Sequence, residues 1–222
     1  MSEIVERAGV GERQPWCMPE EFGAIAPELD SSPELFVFKT HVCKHPMRER
    51  LLDGRAIGVS VHRDIRDVVV SGAQKAGADP DESYCRDLVE GVLASLRGWP
   101  ETEAILETSY ERLTTETAAC CLEIARHLGV PLAPSAATAL AAEFSPARQA
   151  ERIERALEEG TMRPAVPGGS ISHMDRELLH PNHIADGRNG KWREALPDAS
   201  LRVIEDLAGE WMLSKGYRLA AA

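Results

Sequence analysis

Residues 35–71 read LFVFKTHVCKHPMRERLLDGRAIGVSVHRDIRDVVVS. Two runs in it, Leu35-Phe36-Val37-Phe38 and Ala56-Ile57-Gly58-Val59-Ser60-Val61, have the nearly continuous apolar, β-favouring character of strands covered on both faces of a parallel sheet. Each run ends in ionisable side chains. The first delivers Lys39, Thr40 and His41, the second His62 and Arg63. Asp64 is placed to cap a helix with Asp67 in its first turn, where the positive end of the helix dipole favours carboxylates, and Val68, Val69 and Val70 follow. Strand, turn and helix in this order imply an α/β crossover unit. In an open parallel sheet, ligands bind beyond the carboxyl ends of the strands, so function is expected at Lys39, His41, Arg63 and, on the following helix, Ser71.

Outward from this stretch the pattern is regular. Pro46 to Asp53 reads as a short helix closed by Gly54, and Asp81 to Arg97 as an amphipathic helix with Leu88, Val92 and Leu96 on one face. Ala104-Ile105-Leu106-Glu107-Thr108 is a third strand, followed by Tyr110-Glu111-Arg112-Leu113. Helices are expected at Thr115–Leu128, stopped by Gly129, at Ala136–Ala142, at the charged segment Pro146–Glu159, and at Leu201–Leu213. Gly160 to Gly190 is loop-like. Upstream, Met1–Ala8 reads as the tail of a helix closed by Gly9 and Gly11, and Gln14–Ser32, with several prolines, reads as a surface loop.

The fold class is α/β, three-layer, with a mostly parallel sheet flanked by helices. The 222 residues fit a single domain, 1–222, able to bury roughly 70% of its unfolded surface. With 25 basic against 36 acidic residues, the net charge of −11 argues against nucleic acid or acidic membranes as partners. An anionic ligand therefore needs a local pocket of Arg and Lys. Nothing has the apolar length of a membrane span, the N-terminus lacks the apolar run of a signal peptide, and the cytoplasm is expected. The five cysteines, Cys17, Cys43, Cys85, Cys120 and Cys121, contain no C-x-x-C pair; packed, reduced thiols are expected, and no metal site. His45, His127, His173, His180 and His183 lack metal spacing and read as solvent-facing or loop-packing.

An Arg with a nearby hydroxyl at a helix start suits a phosphate, because guanidinium offers a planar fork of donors. Lys39 and His41 supply a fixed positive charge and a proton acceptor near neutral pH. These parts suit transfer of an anionic group from a phosphorylated donor. His62-Arg63-Asp64 spells a protein-kinase triplet, but Val69 stands where the downstream Asn belongs and no Asp-Phe-Gly occurs, so that reading is set aside; no G-x-x-x-x-G-K-[ST] occurs either.

Four segments together carry a resemblance: Lys39-Thr40-His41; Val61 through Ser71; Ser109-Tyr110-Glu111-Arg112-Leu113; and Gly187-Arg188-Asn189-Gly190-Lys191-Trp192. Their order resembles that in sulfotransferases using 3′-phosphoadenosine 5′-phosphosulfate (PAPS), over about Leu35 to Tyr217. The resemblance implies that Arg63 and Ser71 grip the donor's 3′-phosphate and that Tyr110 lies beside the adenine. It implies that Lys39 stabilises charge on the sulfuryl group and departing oxygen, and that His41 is the general base toward a small-molecule acceptor. Gly187, Arg188, Asn189 and Gly190 would close over the 3′-phosphate, with Trp192 anchoring that loop.

Two departures from the family pattern stand out. No Pro-Lys-x-Gly-Thr-Thr-Trp type segment, which holds the 5′-phosphosulfate end, precedes Leu35, and Ala185-Asp186-Gly187 stands where many relatives carry Arg-Lys-Gly. Met1–Ala8 is accordingly expected to be the second half of the helix after that loop, with the first strand and loop lying before Met1. The rival reading is a degenerate relative that binds nucleotide or a partner without transfer; a weaker third is another nucleotide-dependent phosphoryl transferase. The acceptor's identity is left to the loops Gln14–Ser32 and Thr161–Pro181.

Overall fold

The structure, a computed structural model, describes residues 4–5, 11–13, 22–23, 27, 31, 35–161, 163–164, 172–173 and 188–220. Expectations for the remainder of Met1–Ala8, for most of Gln14–Ser32 and Thr161–Pro181, and for Cys17, His180, His183 and Gly187 lie outside those residues.

Strand β1 (Gly11–Arg13) pairs in parallel with β2 (Leu35–Val37), Gly11 opposite Leu35. Gly11 was expected to close a helix; a backbone without Cβ suits either role, and pairing with the apolar β2 decides for the strand. At the end of β2, Phe38 meets the buried Phe22 edge to face at 5.6 Å. Helix α1 (Met47–Leu52) leads to β3 (Gly58–His62), which pairs in parallel with β4 (Ile105–Ser109), Gly58 opposite Ile105 and His62 opposite Ser109. Both ladders are parallel, as the apolar strands predict. The only antiparallel pair among the described residues is β5 (Arg163–Pro164) with β6 (Ser172–His173).

Between β3 and β4 the chain forms α2 (Ile65–Ala76) and α3 (Glu82–Leu96). Asp64 caps α2 by accepting the N–H of Arg66, and Asp81 caps α3 by accepting that of Tyr84, so both helices start where short acidic side chains satisfy orphan amides. After β4 come α4 (Tyr110–Thr115), α5 (Thr117–His127), α6 (Pro134–Glu143) and α7 (Pro146–Glu158), and α8 (Trp192–Ala195) and α9 (Asp198–Ser214) close the chain.

The two hydrophobic clusters explain the layering. On one face of the β3–β4 ladder, Val59 and Leu106 pack with Ile124 and Ala125 of α5, Leu140 of α6, Val130 and Ile4. On the other side, Ile65 and Val69 of α2, Cys85 and Val89 of α3, and Val203, Ile204, Ala208 and Met212 of α9 form a second core. Period-2 alternation puts His62 and Glu107 on that side, and both meet the end of α9: His62 against Trp211 and Tyr217, and Glu107 paired with Lys215 at 2.6 Å. The helices thus cover both faces of a small parallel sheet.

His127 was expected to be a solvent-facing or loop-packing residue and is neither. Its Nε2 lies 3.1 Å from the Gly58 carbonyl and 3.2 Å from that of Ala104, so one ring N–H serves both strand entrances. Cys43, Cys85 and Cys120 are buried and Cys121 half-buried, all unpaired, and burial pushes the Cys43, Cys85 and Cys121 thiols up. Among the described residues no helix is long and apolar enough to cross a membrane.

Candidate active site

Lys39 and His41 lie just past β2, both on the surface. The hydroxyl of Thr40 between them donates to the Val42 carbonyl at 2.9 Å and accepts the Val42 N–H at 3.2 Å, a local turn that fixes their spacing. The following residue, Cys43, runs against the end of α3. A Cβ on Gly98 would stand 2.5 Å from the Cys43 carbonyl oxygen, so that approach requires glycine. Desolvation, then the charges of Lys39 and Lys75, push the His41 imidazole below its ordinary value and favour the neutral form, the form a base needs. Desolvation lowers Lys39 as well.

Arg63 occupies the turn between β3 and α2. Its guanidinium lies over the Tyr110 ring at 4.3 Å, donates to the Arg188 carbonyl at 3.3 Å and stands 3.9 Å from the Asp67 carboxylate. Its Nε is buried and has no hydrogen-bond partner among the described residues. One α-helical stretch on, the half-buried Ser71 has a hydroxyl with no hydrogen bond among those residues. A guanidinium whose buried Nε donor is unmet among the described residues is short of an acceptor, which a phosphate group fits, and Ser71 adds an unengaged hydroxyl further along α2.

Arg63 and Tyr110 are held together by a polar chain on the side of α9. The Tyr217 hydroxyl donates to Glu111 Oε2 at 3.0 Å, and His62 Nδ1 lies 3.0 Å from the same hydroxyl oxygen. Since that hydroxyl proton goes to Glu111, His62 must donate through Nδ1–H. The other Glu111 oxygen accepts the Asp64 N–H at 3.3 Å, tying the start of α4 to the start of α2. Burial, then the Glu111 carboxylate, hold the Tyr217 hydroxyl far above its usual range, and desolvation keeps His62 low, so both are neutral at pH 7.

The closing segment is fastened to α2 by one carboxylate. Asp67, buried, accepts the Gly190 N–H at 2.6 Å and the Trp192 N–H at 3.1 Å. Gly190 adopts φ of +78°, a conformation glycine takes without strain. Trp192 is buried, with Arg66 3.8 Å and Arg193 4.4 Å from its ring centroid. Arg66 in turn pairs with Asp64 at 2.7 Å and Glu205 at 2.8 Å, so its buried charge is met on two sides. Asn189 Nδ2 lies 3.4 Å from Thr114 Oγ1. The Arg188 guanidinium pairs with Glu194 at 3.1 Å, while only its carbonyl touches Arg63.

The structure therefore gathers Arg63, Tyr110, Arg188, Asn189, Gly190 and Trp192 around the heads of α2 and α4, and sets Ser71 further along α2. Lys39 and His41 stand apart from these, just past β2; desolvation, then the charges of Lys39 and Arg63, lower Lys75. Gly187 lies outside the described residues. Sequence reasoning missed Asp67 as the loop's anchor, the His62–Tyr217–Glu111 chain and Lys75. Only Lys75 left a legible signal, a lysine two helical turns beyond Asp67 on the face of Ser71.

Residues 12–216 match the sulfotransferase domain family. The chain belongs to that family. Among solved structures, this sulfotransferase-domain chain is similar to the mouse sulfotransferase SULT7A1 complexed with PAP, at 17% identity, covering 95% of this chain and 77% of that one with a TM-score of 0.65. It is also similar to retinol dehydratase in complex with androsterone and inactive cofactor PAP, at 18% identity over 89% of this chain and 59% of that one, TM-score 0.57. A second retinol dehydratase structure, with retinol and PAP, gives 19% identity over 90% and 62%, TM-score 0.56. The chain thus spans about three fifths of retinol dehydratase. At these identities the likeness establishes the fold. No significant match is found among curated proteins.

Proposed function

We propose that this chain transfers a sulfuryl group from PAPS to a hydroxyl or amine of a small-molecule acceptor in the cytoplasm. The observation that carries the reading is the Arg63 guanidinium, lying over Tyr110, with a buried Nε that lacks an acceptor among the described residues, in a chain of net charge −11. A local cationic pocket in an acidic protein is a device for one anion, not for a surface.

The donor supplies a sulfuryl group on a phosphosulfate anhydride. Arg63 and Ser71 hold its 3′-phosphate, and Tyr110 packs beside the adenine. The segment Gly187–Gly190 closes on the same phosphate. For Arg188 to take part it must leave Glu194, an exposed pair worth about 0–1 kcal/mol. Lys39 neutralises charge developing on the departing oxygen, and His41, kept neutral, takes the acceptor's proton. The remaining contribution is positioning of donor and acceptor in line, as in phosphoryl transfer.

The test is sulfuryl transfer from PAPS to a panel of phenols, alcohols and amines by the full chain, with His41→Ala as control. Transfer that falls by a factor of about 10²–10⁴ in the variant supports the assignment. Transfer unaffected by His41→Ala removes the base from His41. No transfer to any acceptor, alongside intact binding of adenosine 3′,5′-bisphosphate, would leave a nucleotide-binding protein without this chemistry.

A further inference from the structure

The parallel register of β3 with β4 sets each residue opposite the one 47 positions on, from Gly58 and Ile105 to His62 and Ser109. One step further along that register stand Arg63 and Tyr110, and the next step brings Asp64 and Glu111, where the backbone ladder has ended and α2 and α4 begin. The Glu111 carboxylate takes the ladder's place. Its Oε1 accepts the Asp64 N–H at 3.3 Å. Its Oε2 accepts the Tyr217 hydroxyl at 3.0 Å, and the oxygen of that hydroxyl lies 3.0 Å from His62 Nδ1. One side chain thereby holds both neighbours of Arg63, the peptide after it and the ring before it, and is itself the residue after Tyr110. The Arg63 side chain has only long contacts of its own, 3.3 Å to the Arg188 carbonyl and 3.9 Å to Asp67, and its Nε has no partner among the described residues. Its aim is therefore set by its backbone and by the Tyr110 ring 4.3 Å away, and Glu111 fixes both.

We propose that Glu111 is a positioning residue of the donor site, which acts through Arg63 by aiming its guanidinium at the 3′-phosphate. This rests on the sulfotransferase reading above. An acid in the first turn of α4 also suits the helix dipole, but a dipole role asks only for the charge and gives no preference between nucleotides with and without a 3′-phosphate. The bonding has a direction as well. A carboxylate only accepts, so Tyr217 donates to it and His62 carries its proton on Nδ1. Glu111→Gln keeps the length and the acceptor for Asp64, while its amide can donate to Tyr217; Tyr217 then donates to His62, whose proton moves to Nε2.

The experiment compares adenosine 3′,5′-bisphosphate with adenosine 5′-monophosphate by calorimetry on the full chain, so that the ratio of the two dissociation constants reports the 3′-phosphate alone. In the parent the bisphosphate is expected to bind about 10–100-fold more tightly, the weight of charge-assisted contacts to phosphate. Glu111→Ala is expected to lower that ratio about tenfold while monophosphate affinity stays within about threefold, and Glu111→Gln to bring it back to within about threefold of the parent. A ratio unchanged in folded Glu111→Ala overturns the proposal. So does an equal loss for both nucleotides, which would make Glu111 a structural residue of the whole site, or a ratio that stays low in Glu111→Gln, which would assign the effect to charge. Nitrogen NMR of the His62 ring needs no variant to fold: the Nδ1–H tautomer is expected in the parent, and Nε2–H there would break the chain to Glu111 and overturn the proposal. A parent without preference for the bisphosphate is the distinct result that removes the donor-site reading, and this proposal with it.

Discussion

The carboxylate of Asp67 accepts the backbone N–H of Gly190 at 2.6 Å, across 123 residues of chain. With the second bond to Trp192, this single buried side chain sets where the closing segment meets α2, and hence where the Arg188 carbonyl meets Arg63. Asp67→Asn retains shape but can offer only one carbonyl oxygen and no charge. It is expected to cost about 1–3 kcal/mol in denaturant unfolding and to weaken adenosine 3′,5′-bisphosphate binding, since the loop loses its register. Unchanged binding would mean that the segment closes without this anchor.

Trp192 tests the same junction from the packing side. Its ring is buried beneath Arg66, whose own charge is met by Asp64 and Glu205. Trp192→Ala opens a cavity and removes the cation–π contact, and an unfolding free energy lower by about 3–5 kcal/mol is expected. Trp192→Phe should recover most of it, because the buried indole N–H has no partner among the described residues to lose.

Tyr217→Phe removes one oxygen from the chain His62–Tyr217–Glu111. A half-buried carboxylate oxygen and a ring N–H lose their shared partner, and about 1–2 kcal/mol of stability should go with them. If the variant unfolds at the parent's denaturant midpoint, the hydroxyl contributes nothing net.

The pH dependence follows from the sign of the shift at His41. Desolvation and the charges of Lys39 and Lys75 lower its pKa, so the neutral base persists below the ordinary histidine value. The acid limb of kcat/KM, which reports the free enzyme, is expected below pH 6.5, the value for an unperturbed histidine. Lys75→Gln removes one of the two charges and should move that limb upward. A limb that stays in place would show that Lys75 does not act on the base.

The parts of this site carried by local pattern were legible in the sequence. Asp64 and Asp81 announce their helices by side-chain chemistry within three residues, and apolar runs announce β2, β3 and β4, so the ends of β2 and β3, which lead to Lys39, His41 and Arg63, could be placed. What could not be read depends on contacts between distant segments. Asp67 looked like a dipole-favoured acid in a first helical turn, and nothing near it in sequence names Gly190 or Trp192. Likewise Glu111 and Tyr217 meet across 106 residues only because α9 packs over the β3–β4 ladder. His127 looked solvent-facing for the same reason: its acceptors are carbonyls at the entrances of two other elements. Gly11 was assigned to a helix end because its pairing partner lies 24 residues away in β2.

The central claim is that Arg63, lying over Tyr110 at the head of α2, holds a 3′-phosphate. Titration of adenosine 3′,5′-bisphosphate into the full chain by calorimetry, beside Arg63→Ala, measures it directly. The account predicts saturable one-to-one binding by the parent, weakened by a factor of about 10–100 or more in the variant, the weight of a charge-assisted contact to phosphate. Equal affinity in the two folded proteins, or no binding by the parent, would contradict it.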